Sequence, residues 1–279
     1  MIRIHKTPAI PPILSGDGVA KTNALNAAYT INPVAYTSAP GVKVKSLTPM
    51  DFDSCTYGDL TVKTQLIHDQ HGKCCFCESK FLETSHGDVE HFRPKRAYQK
   101  LNSTKLIYPG YYWLTYNWDN LMFSCEKCNR SYKRNQFPLQ TEATRKLFHN
   151  HPILIANEDH LLINPNFEDP SIHITFLKEA PHPKNGSIRG AKTIEAFKLD
   201  RMNITRLEHL RILKLALTWA RIDLAKEEEI KLAMDTFKFT RYEVIEFVTD
   251  GIKLYNSAAK DFAKFAHCVR INFPYLPTM

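Results

Sequence analysis

The stretch "KCCFCESKF", residues 73–81, carries Cys74 and Cys77 as a C-x-x-C pair, and "SCEKC", residues 124–128, carries Cys125 and Cys128 in the same arrangement. The 47 residues between the pairs let two knuckles converge on one ion while enclosing a small module. A two-residue gap allows both sulfurs of a pair to reach Zn²⁺ at about 2.3 Å without backbone strain, and four thiolates complete a tetrahedron. No coordination position stays open. The expected zinc is therefore structural and clips the start of the module to its end. The competing readings are core cysteines or a redox pair. Cys75 is set aside because a C-x-C chelate with Cys77 is the less usual geometry, while Cys55 and Cys268 read as buried free thiols.

The whole chain limits what this module can belong to. With 279 residues it holds one large domain or two modest ones. An apolar content of 43% and a charged content of 24% are those of an ordinary globular protein rather than a disordered or membrane one. The formal charge of +8 and a pI near 9.0 favour a polyanionic partner, and the charge is unevenly placed. Between His91 and Arg134 nine Lys or Arg face two acids, Asp119 and Glu126. The N-terminal run "MIRIHKTPAIPPILSG" is broken by prolines and lacks the apolar stretch of a signal peptide or a membrane span. A cytoplasmic location is expected, with no membrane partner and with the seven cysteines reduced.

Along the chain, residues 1–72 read as an N-terminal arm of loops followed by a leading helix. That helix starts near Tyr57, places Leu60, Thr64, Ile67 and His71 on one face, and ends at Gly72. Residues 73–150 form the chemical module. Residues 151–186, with six Pro or Gly and short apolar runs such as "LLIN" and "IHITFL", read as a connector of brief strands. Residues 187–279 form a helical region: no Pro or Gly interrupts the chain between Gly190 and Gly251, and Ile204, Leu207, Ile212, Leu215, Trp219 and Ile222 approximate an apolar stripe assigned mainly to the core. The expected class is α+β, a small zinc-stapled core embedded in a largely α-helical protein.

Inside the module the segments "VEHFRP", "YYWLTYNWDNLMFSC" and "CNRSYKRNQFPL" are nested between the cysteine pairs. This block resembles the HNH endonucleases, the ββα-metal nucleases, in their zinc-stapled form. The match rests on Glu90, His91 and Pro94, on the "WDNL" holding Asn120, and on the "CxxCNxxxK" holding Asn129 and Lys133, over about 60 residues from Cys74 to Phe137.

Phosphodiester hydrolysis needs an activated water, stabilised phosphoryl oxygens and help for the departing oxyanion. His91 titrates near neutrality and is the candidate general base. The adjacent Glu90 suits a hard cation, Mg²⁺ or Mn²⁺, provided the pair sits at a strand end or bend where both side chains serve one site. The resemblance implies Asn129 as the second protein ligand of that ion and Asn120 as the residue that pins the histidine loop through backbone hydrogen bonds. Arg93, Lys95, Arg96, Arg130, Lys133 and Arg134 are assigned to phosphate contacts.

A narrower resemblance, carried by "DVEHFRPK", "LLINPNFEDPSIHITF" and "RGAKTIEAFKLDRMNITRLEHLR", points to the HNH subunit of Septu-type and retron-associated anti-phage systems. It implies an ATPase partner of the ABC or structural-maintenance-of-chromosomes type docked on the helical region, in some systems with a retron reverse transcriptase and its RNA/DNA. The "LDR" at residues 199–201 departs from an Asn-Arg expected there. The leading reading is a metal-dependent endonuclease acting on nucleic acid, with DNA favoured and RNA such as a transfer RNA admitted. The alternative is a zinc-stapled nucleic-acid-binding or adaptor module without catalysis.

Overall fold

A computed structural model describes residues 1–39 and 51–278, and the loops expected over residues 40–50 lie outside these. The protein is α+β, and the described residues form helices together with two small antiparallel sheets. β1 (Asp88–His91) pairs with β2 (Leu121–Ser124), placing Asp88 opposite Ser124 and His91 opposite Leu121. Two strands alone make a weak sheet. Here the side-chain amide of Gln70 acts as a further strand edge: Nε2 donates to the Phe123 carbonyl at 2.7 Å, and Oε1 accepts from the Phe123 N–H at 2.8 Å. The Cys75 N–H donates to the same carbonyl at 3.1 Å. All four residues of β2 are buried. After β2 the chain passes through the second knuckle into a wide helical turn, Lys127–Lys133.

"IHITFL" supplies β3 (Ile174–Leu177), paired with β4 (Ala180–Pro183). "LLIN" forms no strand. Leu162 and Ile163 enter the core instead, and the Ile163 N–H is satisfied by the Thr193 hydroxyl at 2.9 Å. The C-terminal region contains α4 (Ile188–Ala196), α5 (Asn203–Trp219), α6 (Glu227–Phe237), α7 (Arg241–Ser257) and α8 (Ala266–Asn272). Thr240 and Glu243 form a reciprocal capping box that starts α7. The main core draws residues from Met1 through Leu276, while Trp219, Ile230, Ala233, Val244 and Val248 form a satellite core in the helices. No helix among the described residues is long and apolar enough to cross a membrane.

Three further expectations change. The N-terminal arm is not all loop, since α1 (Val19–Ile31) continues a helical turn that begins at Leu14. Its alanines favour helix, but only Leu25 and Tyr29 of α1 are buried, so the sequence carries little periodicity to read. The leading helix is two pieces, α2 (Ser54–Tyr57) and α3 (Leu60–Asp69), broken at Gly58, with Asp59 capping the second through the Thr61 N–H. α3 buries Val62, Leu66 and Asp69 and exposes Leu60. On α5 the buried face is Arg206, Leu210, Leu213 and Leu217. Ile204, Ile212 and Leu215 lie on the solvent side, because this helix carries two apolar stripes and only one meets the body.

The loop after β1 is held by close backbone contact with Gly110, whose N–H donates to Arg96 O at 2.8 Å while the Tyr111 N–H donates to Pro94 O at 2.8 Å. A Cβ at position 110 would sit 2.4 Å from the Pro94 carbonyl oxygen and 2.6 Å from the Ala97 nitrogen. Gly110→Ala is therefore expected to destabilise the fold by about 1–3 kcal/mol through overpacking. Urea unfolding at equilibrium checks this, and an unchanged midpoint would contradict the contact.

Candidate active site and metal centre

The four sulfurs of Cys74, Cys77, Cys125 and Cys128 lie within 4.8 Å of one another, and all four residues are buried. Their separation and chemistry fit a tetrahedral thiolate site, which Zn²⁺ suits. Cys75 is buried but stands outside this cluster, and Cys268 is buried as expected. Cys55 is exposed, contrary to expectation, because it sits on the short surface helix α2.

The C-terminal region closes over both knuckles. Arg201, from the "LDR" stretch, donates from Nη2 to Cys128 Sγ at 3.1 Å and stacks its guanidinium 4.9 Å from the Tyr132 ring. Such a donor stabilises negative charge on thiolates that hold a metal. On the first knuckle, the Lys73 ammonium donates to the Ala263 carbonyl at 3.0 Å, and Glu78 Oε2 accepts from the His267 N–H at 3.2 Å.

Glu90 and His91 are the last two residues of β1, and both line a cleft of about 650 Å³ together with Tyr57, Lys95, Asn129 and Arg130. Arg96 and Arg134 also line it. His91 is 5% exposed, and its Nε2 lies 2.9 Å from the Thr115 carbonyl oxygen. A carbonyl only accepts, so Nε2 carries the proton and Nδ1 is the accepting nitrogen, with the Lys95 ammonium 3.4 Å away. Burial, with Lys95 as the next contributor, holds the imidazole pKa well below its ordinary value. His91 is therefore neutral at physiological pH. The Tyr57 ring meets it edge-on at 4.7 Å and also carries the Lys95 ammonium 4.5 Å above its face. Burial lowers the Lys95 pKa to about 8.

Glu90 is 3% exposed, and the Lys133 ammonium lies 2.5 Å from its Oε1. Burial pushes the carboxyl pKa up, and Lys133 opposes that rise. Lys133 also donates to the His91 carbonyl at 2.8 Å. Glu90 and Asn129 bring oxygen donors of the kind a hard divalent cation takes, with Oε2 of Glu90 the oxygen not engaged by Lys133. Asn120 clamps the turn after His91: its Oδ1 accepts from the Arg93 N–H at 2.8 Å, and its Nδ2 donates to Arg93 O at 3.0 Å and Leu114 O at 3.1 Å.

Two residues assigned to phosphate contacts are spent inside the protein. Arg93 turns to the buried Glu158, with Nε donating to Oε2 at 2.8 Å, and its guanidinium lies 5.3 Å from the Phe137 ring. Lys133 is 1% exposed beneath Glu90. Desolvated carboxylates claim both cations, and charge counting along the sequence does not reveal this. Lys95, Arg96, Arg130 and Arg134 remain at the cleft. Sequence reasoning missed Asp88, which accepts from Asn129 and Arg130, although strand alternation puts it on the same face as Glu90. It also missed Tyr57 and Arg201, which reach the site from distant segments without a local signal.

Fold and site together define an α+β protein built around a four-cysteine metal-binding cluster, with a basic, histidine-bearing cleft beside it. Over 150 residues, 53% of its length, the chain is a homologue of the Septu protein PtuB of Bacillus mycoides (strain KBAB4), with 42% identity covering 50% of that protein. It is also 27% identical over 158 residues to the Septu protein PtuB of Bacillus thuringiensis, covering 56% of this chain and 47% of the relative. The chain thus spans about half the length of the curated relatives it matches. No protein-family model matches it. No solved structure matches it.

Removing one partner of a buried ion pair leaves an uncompensated charge and costs about 3–5 kcal/mol. Lys133→Met is expected to fall in that range, measured by denaturant unfolding of the zinc-loaded protein. Lys133→Met together with Glu90→Gln should recover part of the loss.

Proposed function

We propose that this protein is a metal-dependent endonuclease that hydrolyses phosphodiester bonds and serves as an effector of anti-phage defence. The observation carrying the reading is the His91 imidazole: buried, neutral, its Nε2–H fixed on the Thr115 carbonyl, its accepting Nδ1 3.4 Å from the Lys95 ammonium in a cleft it shares with Glu90 and Asn129. A neutral imidazole held in one tautomer is prepared to take a proton from water. Asn120 pins the Arg93 backbone in the turn that follows the histidine. A Mg²⁺ or Mn²⁺ ion bound by Glu90 and Asn129 would polarise the scissile phosphate and stabilise the leaving oxygen.

Lys95, Arg96, Arg130 and Arg134 supply the positive charge that draws the phosphate backbone into the cleft. A neighbouring groove shares Arg134 and adds Lys100, Lys192 and Lys198, which lengthens the path for a strand. The four-cysteine site takes Zn²⁺ as structural support, since its ligands leave no open position. DNA is the favoured substrate, and a site of this kind also accepts RNA. The Septu name of the relatives supports a defence role. An ATPase of the ABC or structural-maintenance-of-chromosomes type, docked on the helical region 187–279, completes the proposal as its partner. A retron reverse transcriptase with its RNA/DNA is proposed as a further partner on the same resemblance.

His91→Ala is expected to abolish cleavage, a loss of at least about 10²-fold for a general base, while zinc content and nucleic-acid binding stay near wild type. Undiminished cutting by this variant would place the base elsewhere, and absence of cutting by the wild type with any divalent cation or ATPase would favour the adaptor reading. A pH series tests the clamp. Lys95 is charged below about 8 and neutral above it, so its phosphate contact is present at neutral pH and lost as pH rises through about 8. Wild-type binding should weaken across that interval in a fluorescence anisotropy titration, whereas Lys95→Arg should stay flat.

A further inference from the structure

Asn129 can offer a cation only its Oδ1, because the amide nitrogen only donates. That nitrogen, Nδ2, donates to Asp88 Oδ2 at 3.0 Å. An ionised carboxylate only accepts, so Asp88 admits one of the two rotations of the amide: nitrogen toward Asp88, oxygen away from it. Asn129 itself lines the cleft with Glu90 and His91. The same carboxylate grips Arg130 as a fork, with Nε on Oδ2 at 2.8 Å and Nη2 on Oδ1 at 2.5 Å. Arg130 is 64% exposed at its side chain, so solvent or a phosphate can compete for it. Asp88 opens β1 two residues before Glu90 and faces the same side of the strand.

We propose that Asp88 is a positioning residue of the cleft: it aims the Asn129 oxygen at the cation position and holds Arg130 folded back until a phosphate draws it away. The inference rests on the nuclease reading for the identity of the ion and of the phosphate. Its distinctive content is that one carboxylate acts in opposite senses on two ligands. It strengthens cation binding through Asn129 and weakens polyanion binding by occupying Arg130 and adding negative charge.

The test uses the zinc-loaded full chain and Mn²⁺, whose free aqua ion is counted by electron paramagnetic resonance, with no nucleic acid present. Asp88→Ala is expected to bind Mn²⁺ about 10–100-fold more weakly than wild type, the usual cost of losing a group that orients a ligand. Asp88→Asn should recover part of that loss, because its own amide oxygen can accept from Asn129. In a separate titration with a short oligonucleotide and no divalent cation, Asp88→Ala should bind more tightly than wild type and with a salt slope steeper by about 0.7–0.9, one released arginine. A merely structural role would weaken both kinds of binding together. Equal Mn²⁺ affinity in wild type and Asp88→Ala, or a parallel loss of both activities, overturns the assignment while leaving the nuclease reading in place. If wild type itself binds no Mn²⁺, the cation reading of the cleft fails, and this inference with it.

Discussion

The convergence of four cysteine sulfurs is the constraint on which the remaining structure depends. Two knuckles far apart in sequence meet at one point, and β1 and β2 are the chain that must fit between them. The first knuckle then donates a backbone hydrogen bond into β2, and the second leads directly into the turn that carries Asn129. The last third covers the cluster, with Arg201 donating to the Cys128 and, more weakly, the Cys125 sulfur, and Glu78 receiving the start of α8. A metal in this position would therefore support three segments together. The small strand pair would hold poorly without them, because its own ladder is four residues long.

Charge inside the cleft is arranged by burial more than by proximity in sequence. Glu90 and Lys133 neutralise one another where water is excluded, an arrangement that adds little net stability but leaves few alternatives for either side chain. Since Lys133 also holds the His91 carbonyl, Glu90, His91 and the helical turn are tied to one ammonium. The nearby cations then act on a histidine already made neutral by desolvation. The outer arginines stay at the solvent boundary, where screening is strong and exchange between partners is easy.

The cysteine spacing, the Glu90–His91 pair, the two asparagines and the α+β class were legible because each is a local pattern. Which apolar stripe of α5 faces inward was not legible. Two stripes fit the helical period there, and tertiary contact chose between them. α1 escaped notice because a helix with only two buried residues leaves almost no periodic signal. The fates of Arg93 and Lys133 depend on Glu158 and Glu90 being buried, a property of the assembled core. Asp88 could have been found, since it sits one alternation before Glu90, but only once the segment is read as a strand. Arg201 is 73 residues from Cys128, and no spacing rule connects them.

Lys95 gives the cleft a chemical handle. An ordinary lysine is almost wholly protonated near neutrality and reacts slowly with electrophiles, but an amine with a pKa of about 8 keeps about a tenth of its population unprotonated at pH 7. Lys95 borders an open cleft, and Lys6, whose pKa burial lowers to about 7, borders a separate cavity, so an amine-directed acylating or imine-forming reagent has two such targets. A covalent label found on Lys95 would mark the mouth of the site, and protection of that position by a bound polyanion would report occupancy with no need for a known substrate.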